Sequence, residues 1–409
     1  MAHTTDPARR AAGGELADRM ALLGTETAFE VLARAKALEA HGRKIVHLEI
    51  GEPDFATPAH IVEAAVRALH DGHTHYTPAA GIREAREAIA EHVGAFRGIT
   101  VDPDEVVITP GAKPVMFFLM MALLNPGDEV IVPDPGFPIY DSVARFLGAR
   151  VVPWVLREER EFRADPDELR GLLTPRTKLI ILNSPHNPTA SMLSRSDLEA
   201  IAELVRGRPV TVLADEIYGR IRYEGAFASL ASIPEVRPQV VILDGFSKTY
   251  AMTGWRLGYG VMDPDLAARI TQLMVNSNSC TAAFTQMAGI AALRGPQDCV
   301  ERMVAEFRRR RDVIVSGLNA LPGVTCLRPP GAFYAFPKVR RIDANTARFQ
   351  DYLLNQAGVA VLSGTAFGPH GEGYLRLSYA NSVEAITEAL AQMRRAIAEY
   401  TPQAGAERR

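Results

Sequence analysis

The chain has 409 residues, of which 47% are hydrophobic and 23% are charged, and 45 Lys and Arg residues against 48 Asp and Glu residues give it a net charge of -3. This length is enough for two domains, or for a large α/β domain with a smaller partner. Because the charge is nearly balanced, we expect no general attraction to nucleic acids or to anionic membranes.

The cysteines and the paired histidines give no sign of a metal site. Cys280, Cys299 and Cys326 are odd in number and far apart. We therefore expect reduced thiols in a cytoplasmic protein. His73 and His75 have no third ligand near them in the sequence. No signal peptide is evident, and no apolar run approaches the length of a membrane span.

The N-terminal part alternates helical and extended patterns. Apolar residues at helical spacing predict a helix over residues 25–40, and residues 44–50 have the pattern of a strand. The loop from Gly51 to Pro58 contains two prolines, so it is either a tight turn or a place where the Gly51 N–H faces a ligand. Another helix is predicted over residues 60–70.

The next elements have a pattern associated with phosphate binding. A helix over residues 82–96 and a strand over residues 105–109 precede the turn Pro110 to Lys113, which contains Gly111 and leads into an apolar helix. Free backbone N–H groups and the positive end of the helix dipole meet at such a turn. The same pattern is also common in turns that bind nothing.

Further apolar strands follow, and polar residues stand at their ends. These strands are predicted over residues 128–133, 151–155, 177–182 and 210–218. Asn187 lies between two prolines after the third of them, and Asp215 lies at the end of the fourth. Open α/β sheets bind ligands beyond the carboxyl ends of their strands, although a lone Asp there is usually a helix cap.

The segment from Asp244 to Gly260 carries the clearest chemical pattern. It follows a short buried strand and surrounds Ser247, Lys248 and Arg256 with small and apolar residues. A lysine at a strand end is usually a solvated surface residue. A desolvated amine is instead a nucleophile that forms a Schiff base with an aldehyde, and Arg with Ser suits a phosphate. Aldehyde and phosphate together describe pyridoxal 5'-phosphate (PLP).

The C-terminal third is predicted to contain helices over residues 301–321 and 346–357, a last helix over residues 383–400, and short strands. The basic run Arg308 to Arg311 is expected to be a solvated helix face rather than a nucleic-acid patch. On its alternating pattern alone, Arg376 could simply be an exposed charge on an edge strand.

These motifs resemble the class I/II aminotransferases, the fold-type I PLP enzymes. The resemblance rests on Ser247-Lys248 with the segment Thr253 to Tyr259 and covers residues 29–396. It implies an α/β fold with a mostly parallel sheet flanked by helices, plus a smaller α+β domain. It also implies that the following residues bind PLP: Gly111, Ala112, Lys113, Phe137, Asn187, Asp215, Tyr218, Ser247, Lys248 and Arg256.

The resemblance implies further roles at the substrate. Arg376 would clamp the α-carboxylate with help from Asn187 and Gly51, and Lys248, Asp215 and Tyr218 would be the catalytic residues. A homodimer is expected in which Tyr76 reaches the partner's cofactor phosphate. Lys113 is either only a turn residue or also a contact for an acidic substrate side chain. Tyr140 begins a helix and is expected to be structural.

One position departs from the family motif Asn-Pro-Thr-Gly, because Ala190 stands where the glycine is usual. Glycine is used where the backbone is crowded or φ is positive, so we expect altered loop geometry near the cofactor. The change removes no catalytic group.

We expect residues 61–294 to form the large PLP-binding domain, with residues 1–60 and 295–409 forming the small one. The activity implied is ping-pong transamination between an L-amino acid and a 2-oxo acid. The alternative is a lyase, decarboxylase or β/γ-replacement enzyme on the same scaffold. A non-enzymatic PLP-sensing regulator would need a DNA-binding module, for which the N-terminal segment has little room.

Overall fold

A seven-stranded sheet forms the centre of the computed structural model, which describes residues 16–401. The strands are β2 (Val106–Thr109), β3 (Glu129–Asp134), β4 (Arg150–Val155), β5 (Thr177–Asn183), β6 (Thr211–Asp215), β7 (Val240–Gly245) and β8 (Gly258–Val261). They lie in the order β2-β8-β7-β6-β5-β3-β4, and within this sheet β8 runs opposite to the other six strands.

Helices cover both faces of the central sheet. One face packs against α2 (Ala59–His70), α3 (Arg83–Arg97), α7 (Arg195–Val205) and α9 (Ala283–Arg294). The other face packs against α4 (Lys113–Leu123), α5 (Pro138–Phe146) and α8 (Pro264–Val275). Ile180 of β5 points to the first face, whereas Leu179 and Ile181 point to the second. Since both faces are buried, the central strands are apolar without interruption.

A second core joins the N-terminal segment to the C-terminal third. Strand β1 (Val46–His47) pairs in parallel with β10 (Val359–Ala360), and β9 (Tyr334–Ala335), β12 (Leu375–Ser378) and β11 (Leu362–Ser363) form an antiparallel sheet. The helices of this region are α10 (Asp298–Asn319), α11 (Thr346–Tyr352) and α12 (Val383–Glu399), and helix α1 (Thr27–Ala40) packs beside them. The remaining helix, α6 (Pro166–Leu172), precedes β5.

This architecture confirms the predicted α/β fold with a mostly parallel sheet and a smaller region beside it. The division at residues 61 and 294 stays a prediction. The strand expected over residues 44–50 contains only two paired residues, because the chain then turns into the Gly51 loop. Within residues 16–401, no helix is both long enough and apolar enough to cross a bilayer.

The prediction of a solvated basic face was wrong for two of its four arginines. Arg311 is fully buried, with its guanidinium 4.8 Å from the Tyr223 ring centre and 2.8 Å from a Glu224 carboxylate oxygen. Arg310 is 6% exposed and donates to Asp54 at 2.6 Å. Consecutive residues of a helix point to different faces, so a run of four necessarily includes inward positions.

Candidate active site

A cavity of about 560 Å³ lies at the carboxyl ends of the central parallel strands. Open α/β sheets bind ligands at this edge. The strand ends and following loops bring side chains from distant parts of the sequence to its wall. The predicted site residues that line it are Gly51, Ala112, Lys113, Phe137, Asn187, Asp215, Tyr218, Ser247, Lys248, Arg256 and Arg376.

Lys248 lies in the loop after β7 and points into this cavity. Its amine donates a hydrogen bond of 2.7 Å to the Gly51 carbonyl oxygen. Desolvation lowers the pKa of Lys248 to about 8, and the positive charge of Arg376 adds to this effect while Glu52 opposes it. A neutral amine is a nucleophile and a base, so Lys248 is available for both functions near neutral pH.

Asp215 ends β6 and is 8% exposed. Burial raises the pKa of Asp215 to about 6, although its carboxylate accepts hydrogen bonds of 2.6 Å from the Tyr140 hydroxyl and 3.2 Å from the Ile217 N–H. A buried carboxylate of this kind is stabilised as an anion when a cation lies beside it. Tyr140, expected to be structural only, is therefore a direct partner of the site.

A buried arginine that was not predicted lies behind Asp215. Arg97, the last residue of α3, donates to Glu216 at 2.6 Å and to Asp244 at 2.8 Å. Ser229 donates to the other oxygen of Glu216 at 2.6 Å. These contacts join the ends of β6 and β7, from which Asp215 and the Lys248 loop extend.

Arg376 on β12 is also buried, which excludes the alternative of an exposed edge charge. Its guanidinium lies over the rings of Tyr334 at 4.7 Å and Phe367 at 5.0 Å, and donates to Asn187 at 3.4 Å. It also donates to the carbonyl of Glu49. Its Nε is buried and has no hydrogen-bond partner in the described part of the chain, so this guanidinium, whose geometry suits a planar carboxylate, keeps an unused donor beside the cavity.

The opposite end of the cavity has the composition of an anion site. Gly111 has φ of +91°, which side chains rarely adopt, and a Cβ there would lie 2.1 Å from the Arg256 guanidinium, so a side chain at residue 111 would be strained and would displace Arg256. Arg256 itself donates to the Thr253 carbonyl at 2.6 Å. The N-terminus of α4 and the Ser247 hydroxyl lie on the same wall. Cation, hydroxyl and helix N-terminus together fit a phosphate group.

Tyr218 and Tyr334 share a hydrogen bond of 2.7 Å between their hydroxyls inside the cavity. Tyr334 was not predicted. A Cβ at Gly51 would lie 2.1 Å from its hydroxyl, so glycine is required at residue 51 by close approach. Phe137 packs edge-to-face on Tyr140, with ring centres 5.5 Å apart.

Two further predicted positions lie away from the cavity wall. Tyr76 is 90% exposed and does not line the cavity of its own chain. Ala190 is fully buried with φ of 58°, a left-handed conformation that an alanine adopts at a cost of roughly 1–2 kcal/mol. No three metal-ligating side chains are grouped within residues 16–401.

The comparisons with known proteins agree with this geometry. The family described as aminotransferase class I and II matches residues 43–393. The chain is 40% identical to an aspartate aminotransferase of Pyrococcus horikoshii, covering 93% of this chain and 97% of that protein. The chain belongs to the class I and II aminotransferases. It is also 38% identical to an arginine–pyruvate transaminase of Pseudomonas aeruginosa, with 92% and 96% covered.

Solved structures of aminotransferases are equally similar to this one. The aspartate aminotransferase from Rhizobium meliloti has a TM-score of 0.91 at 35% identity, covering 94% of this chain and 99% of that one. The Thermus thermophilus aspartate aminotransferase with maleate has a TM-score of 0.90 at 38% identity, covering 93% and 99%. The resemblance deduced from the sequence is therefore confirmed.

We expect Lys248 of the cofactor-free aminotransferase to react with a lysine-acylating reagent at a rate that reaches half of its maximum near pH 8, because burial lowers its pKa to about 8. Peptide mass spectrometry after brief labelling gives the rate for this residue. Nα-acetyl-lysine amide in the same buffer, whose only amine is that of the side chain, is the control and titrates at about 10.4. Inflections at the same pH for both amines would contradict the proposed desolvation.

Proposed function

We propose that this enzyme binds PLP in the cavity and transfers an amino group between an L-amino acid and a 2-oxo acid by a ping-pong mechanism. The observation that carries the proposal is the position of Lys248, whose amine lies in one cavity with a buried acid, Asp215, and a buried guanidinium, Arg376. The anion site around Arg256 and Gly111 fits the cofactor's phosphate.

Each group has a defined part in the proposal. PLP supplies an aldehyde that accepts the amino group and a ring that withdraws electrons from Cα. Asp215 would hold a proton on the ring nitrogen, Tyr218 and Asn187 would donate hydrogen bonds to the phenolate oxygen, and Phe137 would pack against the ring. Lys248, with its lowered pKa, takes the proton from the substrate Cα and returns it as general base and acid.

Arg376 selects the α-carboxylate of the substrate. Its guanidinium is buried, lines the cavity beside Asn187 and keeps an unpaired Nε. Charge-assisted hydrogen bonds of this kind are about twice as strong as neutral ones. Gly51 contributes through its backbone at the same end of the cavity. The lyase, decarboxylase or replacement alternative has no support from the family or from the named relatives.

A homodimer with shared active sites is part of the proposal. Tyr76 is almost fully exposed and does not line its own cavity, which suits a residue that contacts the partner's cofactor phosphate. The cytoplasmic location expected from the sequence stays a prediction.

Transamination is tested by adding one amino acid to the PLP-loaded enzyme without any oxo acid. We expect the matching 2-oxo acid to appear in an amount equal to that of the active sites, while the amino group stays on the enzyme. Absorbance and chromatography of the released product measure this. Release of ammonia or carbon dioxide instead would favour the lyase or decarboxylase and contradict the proposal.

Shared sites are tested by mixing differently tagged Lys248→Ala and Tyr76→Phe subunits. We expect Lys248→Ala homodimers to lose about 10²- to 10⁴-fold in rate. Tyr76→Phe homodimers should bind PLP about tenfold more weakly, since they lose a hydrogen bond to a charged group. The mixed dimer should contain one site with native Lys248 and native Tyr76, and this site should bind PLP as the wild type does. A mixed dimer whose active site binds as weakly as the Tyr76→Phe homodimer would place Tyr76 in its own subunit's site.

A further inference from the structure

An ion pair within the chain lies at the wall of the active-site cavity. Lys113, the first residue of α4, pairs with Glu26, which immediately precedes α1. Both residues line the cavity, and their side chains are 50% and 17% exposed. The Lys113 amine also lies 5.4 Å from the centre of the Phe137 ring. The cation of Lys113 is therefore compensated by a carboxylate of the same chain.

The other charged groups of the cavity already have partners or assigned functions. Asp215 accepts from Tyr140, and Glu52 accepts from Thr253. Arg376 and Arg256 are assigned to the carboxylate and phosphate ends of the site, and Lys248 to the cofactor. Of the cations that line this cavity, Lys113 is the one left for a substrate side chain, and Glu26 compensates its charge.

Apolar side chains line the same cavity as this pair. Phe29 lies one helical turn beyond Glu26, lines the cavity and is 59% exposed, which is unusual for a large aromatic side chain. Three further apolar side chains line this cavity: Ile50, Leu362 and Phe367. An exposed aromatic ring at a cavity gains free energy when an apolar group covers it.

We propose that Glu26 determines the substrate class of this enzyme, by occupying Lys113 and so disfavouring acidic side chains in favour of uncharged apolar or aromatic ones. This inference rests on the proposed function. An acidic side chain that binds Lys113 either displaces Glu26 or shares the ammonium with it, and both arrangements leave two carboxylates close together, which is unfavourable. A cationic side chain that binds Glu26 must displace Lys113 and leaves two cations together. An apolar side chain leaves the pair intact.

The test measures binding of non-reacting substrate analogues to the PLP-loaded enzyme by isothermal titration calorimetry. The probes are maleate, 3-phenylpropanoate and 5-guanidinopentanoate, which carry an acidic, an aromatic and a cationic end. We expect the wild type to bind 3-phenylpropanoate most tightly. Glu26→Gln should tighten maleate about tenfold by freeing Lys113 for a charge-assisted hydrogen bond, and should change 3-phenylpropanoate by less than about twofold.

Glu30→Gln is the matched control. Glu30 lies in α1, which begins directly after Glu26, but it is exposed and does not line the cavity. This variant should therefore bind all three probes as the wild type does. Lys113→Gln leaves Glu26 without its cation, so this variant should bind maleate more weakly than the wild type does. The double variant Glu26→Gln/Lys113→Gln should lose the gain seen in Glu26→Gln, because that gain depends on Lys113.

The outcomes separate this inference from the function on which it rests. Unchanged maleate binding in Glu26→Gln, or a wild type that prefers maleate or 5-guanidinopentanoate, would overturn the inference alone. Failure of Arg376→Gln to weaken 3-phenylpropanoate would instead contradict the carboxylate clamp of the proposed function.

Discussion

The buried ion pairs of Arg97 hold together the strand ends that carry the active site. Asp215, Glu216 and Asp244 place three carboxylates at the adjacent ends of β6 and β7, where like charges repel and desolvation disfavours each anion. Arg97 compensates Glu216 and Asp244 through hydrogen bonds of 2.6 and 2.8 Å. Tyr140 donates to the third carboxylate. Removing one partner of such a buried pair leaves an uncompensated charge and typically costs about 3–5 kcal/mol. The position of Asp215 and the start of the Lys248 loop both depend on this arrangement.

The cavity in front of these strand ends is divided by charge. One end has the buried guanidinium of Arg376 and suits a carboxylate, and the other has Arg256 with the N-terminus of α4 and suits a phosphate. Between them, burial lowers the pKa of Lys248 to about 8. Glu26 compensates the charge of Lys113 on the remaining wall. In our proposal the site therefore discriminates at the α-carboxylate by charge and at the side chain by apolar contact.

Much of this arrangement could be predicted from the sequence, because it depends on local patterns. Apolar runs predict buried strands, and the carboxyl ends of parallel strands meet at one edge, which is why Asp215, Asn187 and Lys248 were expected to lie together. Arg97, Tyr140 and Glu26 could not be predicted. Each acts through a partner distant in sequence, and nothing in a helix-terminal Arg or a pre-helix Glu indicates that partner. The burial of Arg311, within a basic run that was expected to be solvated, could not be predicted for the same reason, because its partners Tyr223 and Glu224 are distant in sequence.

The central claim is that Lys248 is the lysine that binds the cofactor's aldehyde. It is tested most directly by loading the protein with PLP, reducing it with borohydride and mapping the modified peptide by mass spectrometry. The account expects the pyridoxyl group on Lys248, with Lys248→Ala as the control that carries none. Lys113 lines the same cavity and is the nearest alternative. Modification of Lys113 in the wild type, or of no lysine at all, would contradict the account.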